Sequence, residues 1–130
     1  MKFSIAIFAG PSDSQASSSA LNFARAVIAS GHGIYRVFFY QDAVNCGNAL
    51  IVSPQDEQNL NTAWAKFSDD HNVELILCIA SALRRGILND TEAERYEKGT
   101  GNIHPSFTLS GLGQLIDAGI ESDRLISFGK

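Results

Sequence analysis

Between Val73 and Ile79 the chain reads Val-Glu-Leu-Ile-Leu-Cys-Ile, a run too short for a helix and apolar on both faces. Strands that alternate apolar and polar residues lie on a half-solvated sheet. A strand apolar on both sides needs cover on both sides, which is the condition of a parallel sheet packed between helices. The rest of the chain supplies that cover. Lys2 to Phe8 reads as a first strand, and Ala20, Leu21, Ala24, Val27 and Ile28 fall at helical spacing within Gln15–Ser30. Ile34 to Tyr40 is a strongly β-prone second strand. Strand, helix, strand with short connections predicts a right-handed parallel crossover.

Further on, Ser53 as N-cap and Pro54 at the first helical position predict a helix whose stripe is Leu60, Ala63, Trp64 and Phe67, ending near His71-Asn72. Asp90 is expected to cap a short polar helix over 91–98. Thr108 or Ser110 is expected to start another, with Leu112, Leu115, Ile116 and Ile120 facing the core. Arg124–Phe128 reads as a last short strand. The pattern predicts an α/β three-layer sandwich, a mostly parallel central sheet flanked by helices. With 130 residues and no linker-like segment, residues 1–130 are read as a single domain.

The balance of 45% hydrophobic to 18% charged residues excludes a disordered chain. A net charge of −4 makes it a poor direct binder of a phosphate backbone, so a protein partner or small substrate fits better than nucleic acid. No apolar run approaches the ~20 residues of a bilayer span, and the N-terminus reads as a strand and not a signal peptide. Two cysteines without secretory context make no disulfide framework. The expectation is a reduced, cytoplasmic, soluble protein.

The stretch that can carry chemistry is Cys78-Ile79-Ala80-Ser81-Ala82-Leu83-Arg84-Arg85-Gly86. Open α/β sheets place their ligands at the carboxyl ends of strands, and Cys78 falls there. Position alone leaves it between core filler and reacting group, since a free cysteine packs as a small hydrophobe. The small residues Ala80-Ser81-Ala82 let backbone amides approach the sulfur, and Arg84 and Arg85 bring positive charge. Both favour a thiolate or persulfide anion. The arginines could equally be solvated or paired with Glu92 or Glu94. Cys46 lies in a Gly/Asn-rich bend with no neighbouring cation and reads as incidental. His32, His71 and His104 show no metal-ligand spacing, although a Cys78–His104 pair is not forbidden by sequence distance. Gly10-Pro11-Ser12-Asp13-Ser14 leads into a helix and could hold an anion on backbone amides. It lacks the Gly-Lys-Ser/Thr ending of a Walker loop, and plain capping explains it.

Three segments, taken together, resemble one family. Phe38-Phe39-Tyr40-Gln41-Asp42-Ala43-Val44, Cys78 with Ala82-Leu83-Arg84-Arg85-Gly86-Ile87, and Phe107-Thr108-Leu109-Ser110-Gly111-Leu112-Gly113-Gln114-Leu115 are similar, in order and spacing, to the DsrE/TusD sulfurtransferase subunits. The resemblance spans essentially the whole chain. It implies a persulfide relay in which Cys78 accepts sulfur from an upstream carrier protein and passes it to a downstream one, with Ser81, Arg84 and Arg85 supporting. It implies a heterohexamer with two related small α/β subunits, no metal or organic cofactor, no direct tRNA contact and no membrane. The destination it implies first is 2-thiouridine at the tRNA wobble position. The alternative branch handles sulfur during dissimilatory sulfur oxidation. A non-catalytic anion-binding module is the reading from a different class.

Overall fold

In the computed structural model, which describes residues 1–129, the first strand, β1 (Lys2–Ile7), is followed by helix α1 (Ala16–Ala29) and strand β2 (Gly33–Phe39). A 3-10 segment over Gln41–Gly47 and helix α2 (Leu60–His71) lead to β3 (Glu74–Cys78). Two short helices, α3 (Ile79–Arg84) and α4 (Asp90–Arg95), precede β4 (Phe107–Ser110), α5 (Gly113–Glu121) and β5 (Arg124–Phe128). The strands form one sheet in the order β4-β3-β2-β1-β5, and every pairing is parallel. The α/β sandwich read from the sequence is therefore present, with a parallel sheet throughout.

Each of β2, β3 and β4 pairs with its sequence predecessor, and β5 returns to the far side of β1. Right-handed crossovers then place α1 and α2 on one face and α5 on the other. The side chains agree. Trp64 of α2 packs edge-on against Phe39 at 5.5 Å between ring centroids, whereas Arg36 of β2 reaches Asp117 of α5 at 2.9 Å. Ile5, Ile7, Val37, Phe38, Phe39, Leu75 and Leu77 are essentially inaccessible. Phe38 and Phe39 are thus buried by this chain's own layers and not held for a partner, with Tyr35 and Tyr40 half-buried.

The pairing of β1 with β2 steps from Phe3↔Ile34 to Ser4↔Arg36, so Tyr35 is an extra residue in the ladder. Such a bulge re-aims the side chains beside it. Here it lets Tyr35 and Arg36 reach the same carboxylate, Asp117, and Arg36 also donates to the Gln114 carbonyl oxygen at 2.7 Å and to Glu74.

Three sequence expectations change. The Ser53-Pro54 segment forms a turn, and α2 begins only at Leu60, capped by Asn59, whose Oδ1 accepts from the Asn61 and Thr62 amides. Its end, at Asn72 in the left-handed region (φ 53°), falls where expected. Asn89, not Asp90, caps α4 by accepting from the Glu92 amide. Phe107–Ser110 is a strand, and the helix after it turns the predicted stripe outward. Leu112, Ile116 and Ile120 are 46%, 65% and 73% exposed, while Ala118 is buried and Leu115 packs on the core. The reason is polar. Three hydrogen bonds from Tyr35 and Arg36 to Asp117 and Gln114 fix the rotation of α5, so its 114–117–118 side faces the sheet. Leaving two isoleucines largely in water forgoes roughly 1.5–3 kcal/mol each.

Candidate functional site

Cys78 is the last residue of β3, aligned with Ser110 at the end of β4. Its backbone stays extended (φ −61°, ψ 119°) and the next residue is already helical, so it occupies the N-cap position of α3. Side chains alternate along a strand, which places Cys78 on the same face as Glu74 and Ile76. The thiol makes no capping hydrogen bond, and the residue is 3% exposed.

The helix that follows it is tied to the turn after β2. Ser81 is buried, and its Oγ accepts from the Gln41 amide at 3.1 Å, tying α3 to the turn after β2. Gln41 holds φ 52°, a conformation most side chains avoid. Arg85 is committed to that same turn. Its Nε donates to Asp42 Oδ1 at 2.8 Å and its Nη1 to the Ser81 carbonyl oxygen at 3.1 Å. Arg84 is exposed and has no ion pair among the described residues. The two arginines therefore differ: Arg85 braces the backbone and Arg84 is the free cation. Neither meets Glu92, whose partner is Arg95 at 3.2 Å.

Beyond α3, Asn102 holds the following turn, its Oδ1 accepting from the Leu88 amide at 2.9 Å and its Nδ2 donating to the Gly86 carbonyl oxygen at 3.1 Å. A shallow, mostly apolar cleft of about 350 Å³ opens there, lined by Leu83, Gly86, Leu88, Tyr96 and Lys98. Asn102 and Asp42 had no spacing signal in the sequence. Their roles depend on loops that meet only in the fold.

Cys46 is a different kind of thiol. It is fully buried, its Sγ lies 3.2 Å from Ser17 Oγ, and the same hydroxyl accepts from Trp64 Nε1 at 3.2 Å. Burial pushes its pKa up to about 12, with the Ser17 bond opposing only in part. His104 does not join Cys78: it precedes β4, and its Nδ1 accepts from the Ser106 amide at 3.0 Å. Among the described residues no three His, Cys, Asp or Glu side chains converge in a way that could hold a metal ion. The Gly10–Ser14 loop borders a cleft of about 520 Å³, but Ser14 Oγ is engaged by the Ala16 amide and Glu57 puts an acid in the wall. That favours capping over anion binding.

The fold and this strand-end thiol define a class: small doubly wound α/β chains that present a cysteine at the carboxyl edge of a parallel sheet. The chain belongs to the DsrE/DsrF-like family, which it matches over residues 1–128. It is 48% identical over 129 residues to a "Sulfurtransferase TusD homolog" of Pseudomonas aeruginosa, covering 99% of this chain and 98% of that one. It is 46% identical over 129 residues to a protein named DsrE from Allochromatium vinosum, covering 99% of each. It is 43% identical over 128 residues to "Sulfurtransferase TusD" of Salmonella arizonae, covering 98% of this chain and 100% of that one. The crystal structure of the ychN protein from E. coli shares the fold, with a TM-score of 0.78 at 21% identity, covering 98% of this chain and 99% of that one.

Proposed function

We propose that the chain is a sulfurtransferase subunit that carries sulfur as a persulfide on Cys78. The observation that supports this most is the position of Cys78 at the end of β3 in a chain that matches proteins named TusD sulfurtransferase from end to end. The Cys78 thiolate attacks the outer sulfur of a donor persulfide. One S–S bond forms, the donor's S–S bond breaks, and the donor leaves as a thiolate, with no net oxidation or reduction. The reverse geometry then hands the outer sulfur to an acceptor thiolate. Arg84 supplies positive charge for the anionic forms, and Arg85 and Ser81 hold α3 against the turn after β2. With Cys78 at 3% exposed, the acquired sulfur matters sterically as well. It extends the group by about 2 Å.

The partners in this reading are an upstream and a downstream sulfur-carrier protein and two related small α/β subunits in a heterohexamer, in the cytoplasm. The net charge of −4 suits a protein-to-protein step with no direct tRNA contact. The destination is 2-thiouridine at the tRNA wobble position. The 46% identity to the protein named DsrE keeps sulfur oxidation as the second reading. Incubation with a persulfidated donor protein, followed by intact-mass measurement, tests the carrier role. Wild type gains one sulfur and Cys78→Ser gains none; equal gain by both ends the assignment. Measuring 2-thiouridine in tRNA from a deletion strain separates the branches, because its level falls only if the sulfur goes to tRNA.

A further inference from the structure

The register of the sheet fixes what stands level with Cys78. In the β2–β3 ladder Phe38 pairs with Ile76 and Phe39 with Leu77, so the next step sets Tyr40 beside Cys78. Cys78 is in turn aligned with Ser110 of β4. On the opposite flank Phe39 pairs with Ile7, and the Tyr40 amide still donates to the Ile7 carbonyl oxygen at 2.9 Å. Strand geometry therefore persists up to Tyr40, with Phe8 level with it. Register partners share a face, and alternation returns every second residue to that face. Phe8, Tyr40, Cys78 and Ser110 thus form one row across the carboxyl end of the sheet, their backbones about 4.8 Å apart.

The ring of Tyr40 is held on this face by two contacts. It stacks on Phe38, two residues earlier, at 6.4 Å between centroids, and meets Phe8 edge-on at 5.9 Å. Neither contact lies on the β3 side, where Cys78 stands. Gln41 then leaves the strand at φ 52°, and its amide donates to Ser81 Oγ at 3.1 Å. The backbone carrying Tyr40 is pinned to the helix that starts at Cys78.

The hydroxyl on that ring is idle. The Tyr35 hydroxyl donates to Asp117 at 2.7 Å, whereas the Tyr40 hydroxyl has no hydrogen-bond partner among the described residues, and it is not sealed from water. Stacking needs only the ring, as phenylalanine supplies at 8 and 38. Nor does the hydroxyl bond the thiol: Cys46 has Ser17, but Cys78 Sγ has no hydrogen-bond partner among the described residues. Length accounts for this. A tyrosine carries its oxygen across a ring, well beyond the height of a cysteine sulfur on the same face. A second sulfur extends Cys78 by about 2 Å and brings the outer atom toward that level. The outer sulfur of a persulfide is anionic near neutral pH, and hydrogen bonds to an ion are about twice as strong as neutral ones.

We infer that Tyr40 holds the transferred sulfur, its O–H donating to the outer, anionic sulfur of the Cys78 persulfide and to neither state of the sulfur-free thiol. The bond forms when sulfur arrives and is lost when it leaves, so it stabilises the loaded form over the empty one. No proton or electron changes hands. This rests on the carrier role proposed for Cys78.

The test equilibrates the full chain with glutathione persulfide and glutathione at a fixed ratio and reads the loaded fraction by intact mass. Tyr40→Phe keeps both ring contacts and removes one oxygen. It loads roughly tenfold less favourably than wild type, while iodoacetamide alkylates the sulfur-free Cys78 of both proteins at the same rate. An unchanged loading equilibrium overturns the inference. So does an alkylation rate that shifts by the same factor as loading, because the hydroxyl would then act on the thiol and not on the outer sulfur. Cys78→Ser separates the two readings. If it gains sulfur as wild type does, the carrier role falls and the inference with it. If it gains none while Tyr40→Phe loads like wild type, only the inference falls.

Discussion

Which thiol reacts can be decided by a rate, and the structure sets its size. Cys46 is raised from 9.0 to about 12 by burial. Three tenfold steps cut its thiolate population near neutral pH by about a thousandfold. A more basic thiolate is a better nucleophile, with a Brønsted slope near 0.4–0.5, which returns roughly 25-fold. Ionisation alone therefore slows Cys46 by roughly 40-fold relative to an ordinary thiol, before its complete enclosure by Ser17 and Trp64 is considered. Iodoacetamide added to the folded protein, followed by intact-mass sampling, should yield one adduct, at Cys78. The folded Cys78→Ser variant should label at least about 40 times more slowly than the same variant unfolded in urea. Folded and unfolded Cys78→Ser labelling at the same rate would refute the reasoning and make Cys46 the thiol to follow.

Gly101→Ala should destabilise the protein by about 1–3 kcal/mol, because a Cβ there lies 2.5–2.7 Å from backbone atoms of Leu88, Asn89 and Asp90 that cannot swing away. The check is a lower urea midpoint with an unchanged slope. The Tyr35 hydroxyl, and then Arg36, hold the Asp117 carboxyl below its ordinary 3.8. A depressed carboxyl contributes stability that is present above 3.8 and is lost as pH falls through the folded-state value. Urea titrations across acid pH should therefore show a shallower acid limb for Asp117→Asn than for wild type, and identical limbs would refute the role given to this ion pair.

The elements legible in the sequence are those whose signal is local. The Val73–Ile79 run reads as a covered strand, and its carboxyl end places Cys78 at the carboxyl end of the sheet. Strand β4 was not legible, since four residues carry too little periodicity to compete with the helical spacing of Leu112, Leu115 and Ile116 just beyond. The start of α2 was misplaced because Ser53-Pro54 satisfies the local rules for a helix start, while Asn59 also does and lies next to the residues that pack.

At the candidate site the division is similar. Sequence placed a cysteine, two arginines and small residues within a few positions. It could not assign Arg85 to Asp42 or leave Arg84 free, because Asp42 arrives from the turn after a different strand. Both thiols are buried, and what sets Cys46 apart, its contacts with Ser17 and Trp64, 29 positions before and 18 after it, was not written in the sequence around it.

The outward turn of α5 marks the boundary most clearly. Sequence alone determined that a helix carrying the stripe Leu112, Leu115, Ile116 and Ile120 lies here, though it started that helix at Thr108 or Ser110 instead of Gly113, because backbone propensity and periodicity act over one or two turns. Which side of that helix meets the sheet was decided by Tyr35, Arg36 and Asp117, brought together by a bulge in a strand some 80 residues away. A helix's rotation about its own axis is fixed by the partners it meets, and those exist only once the chain has folded.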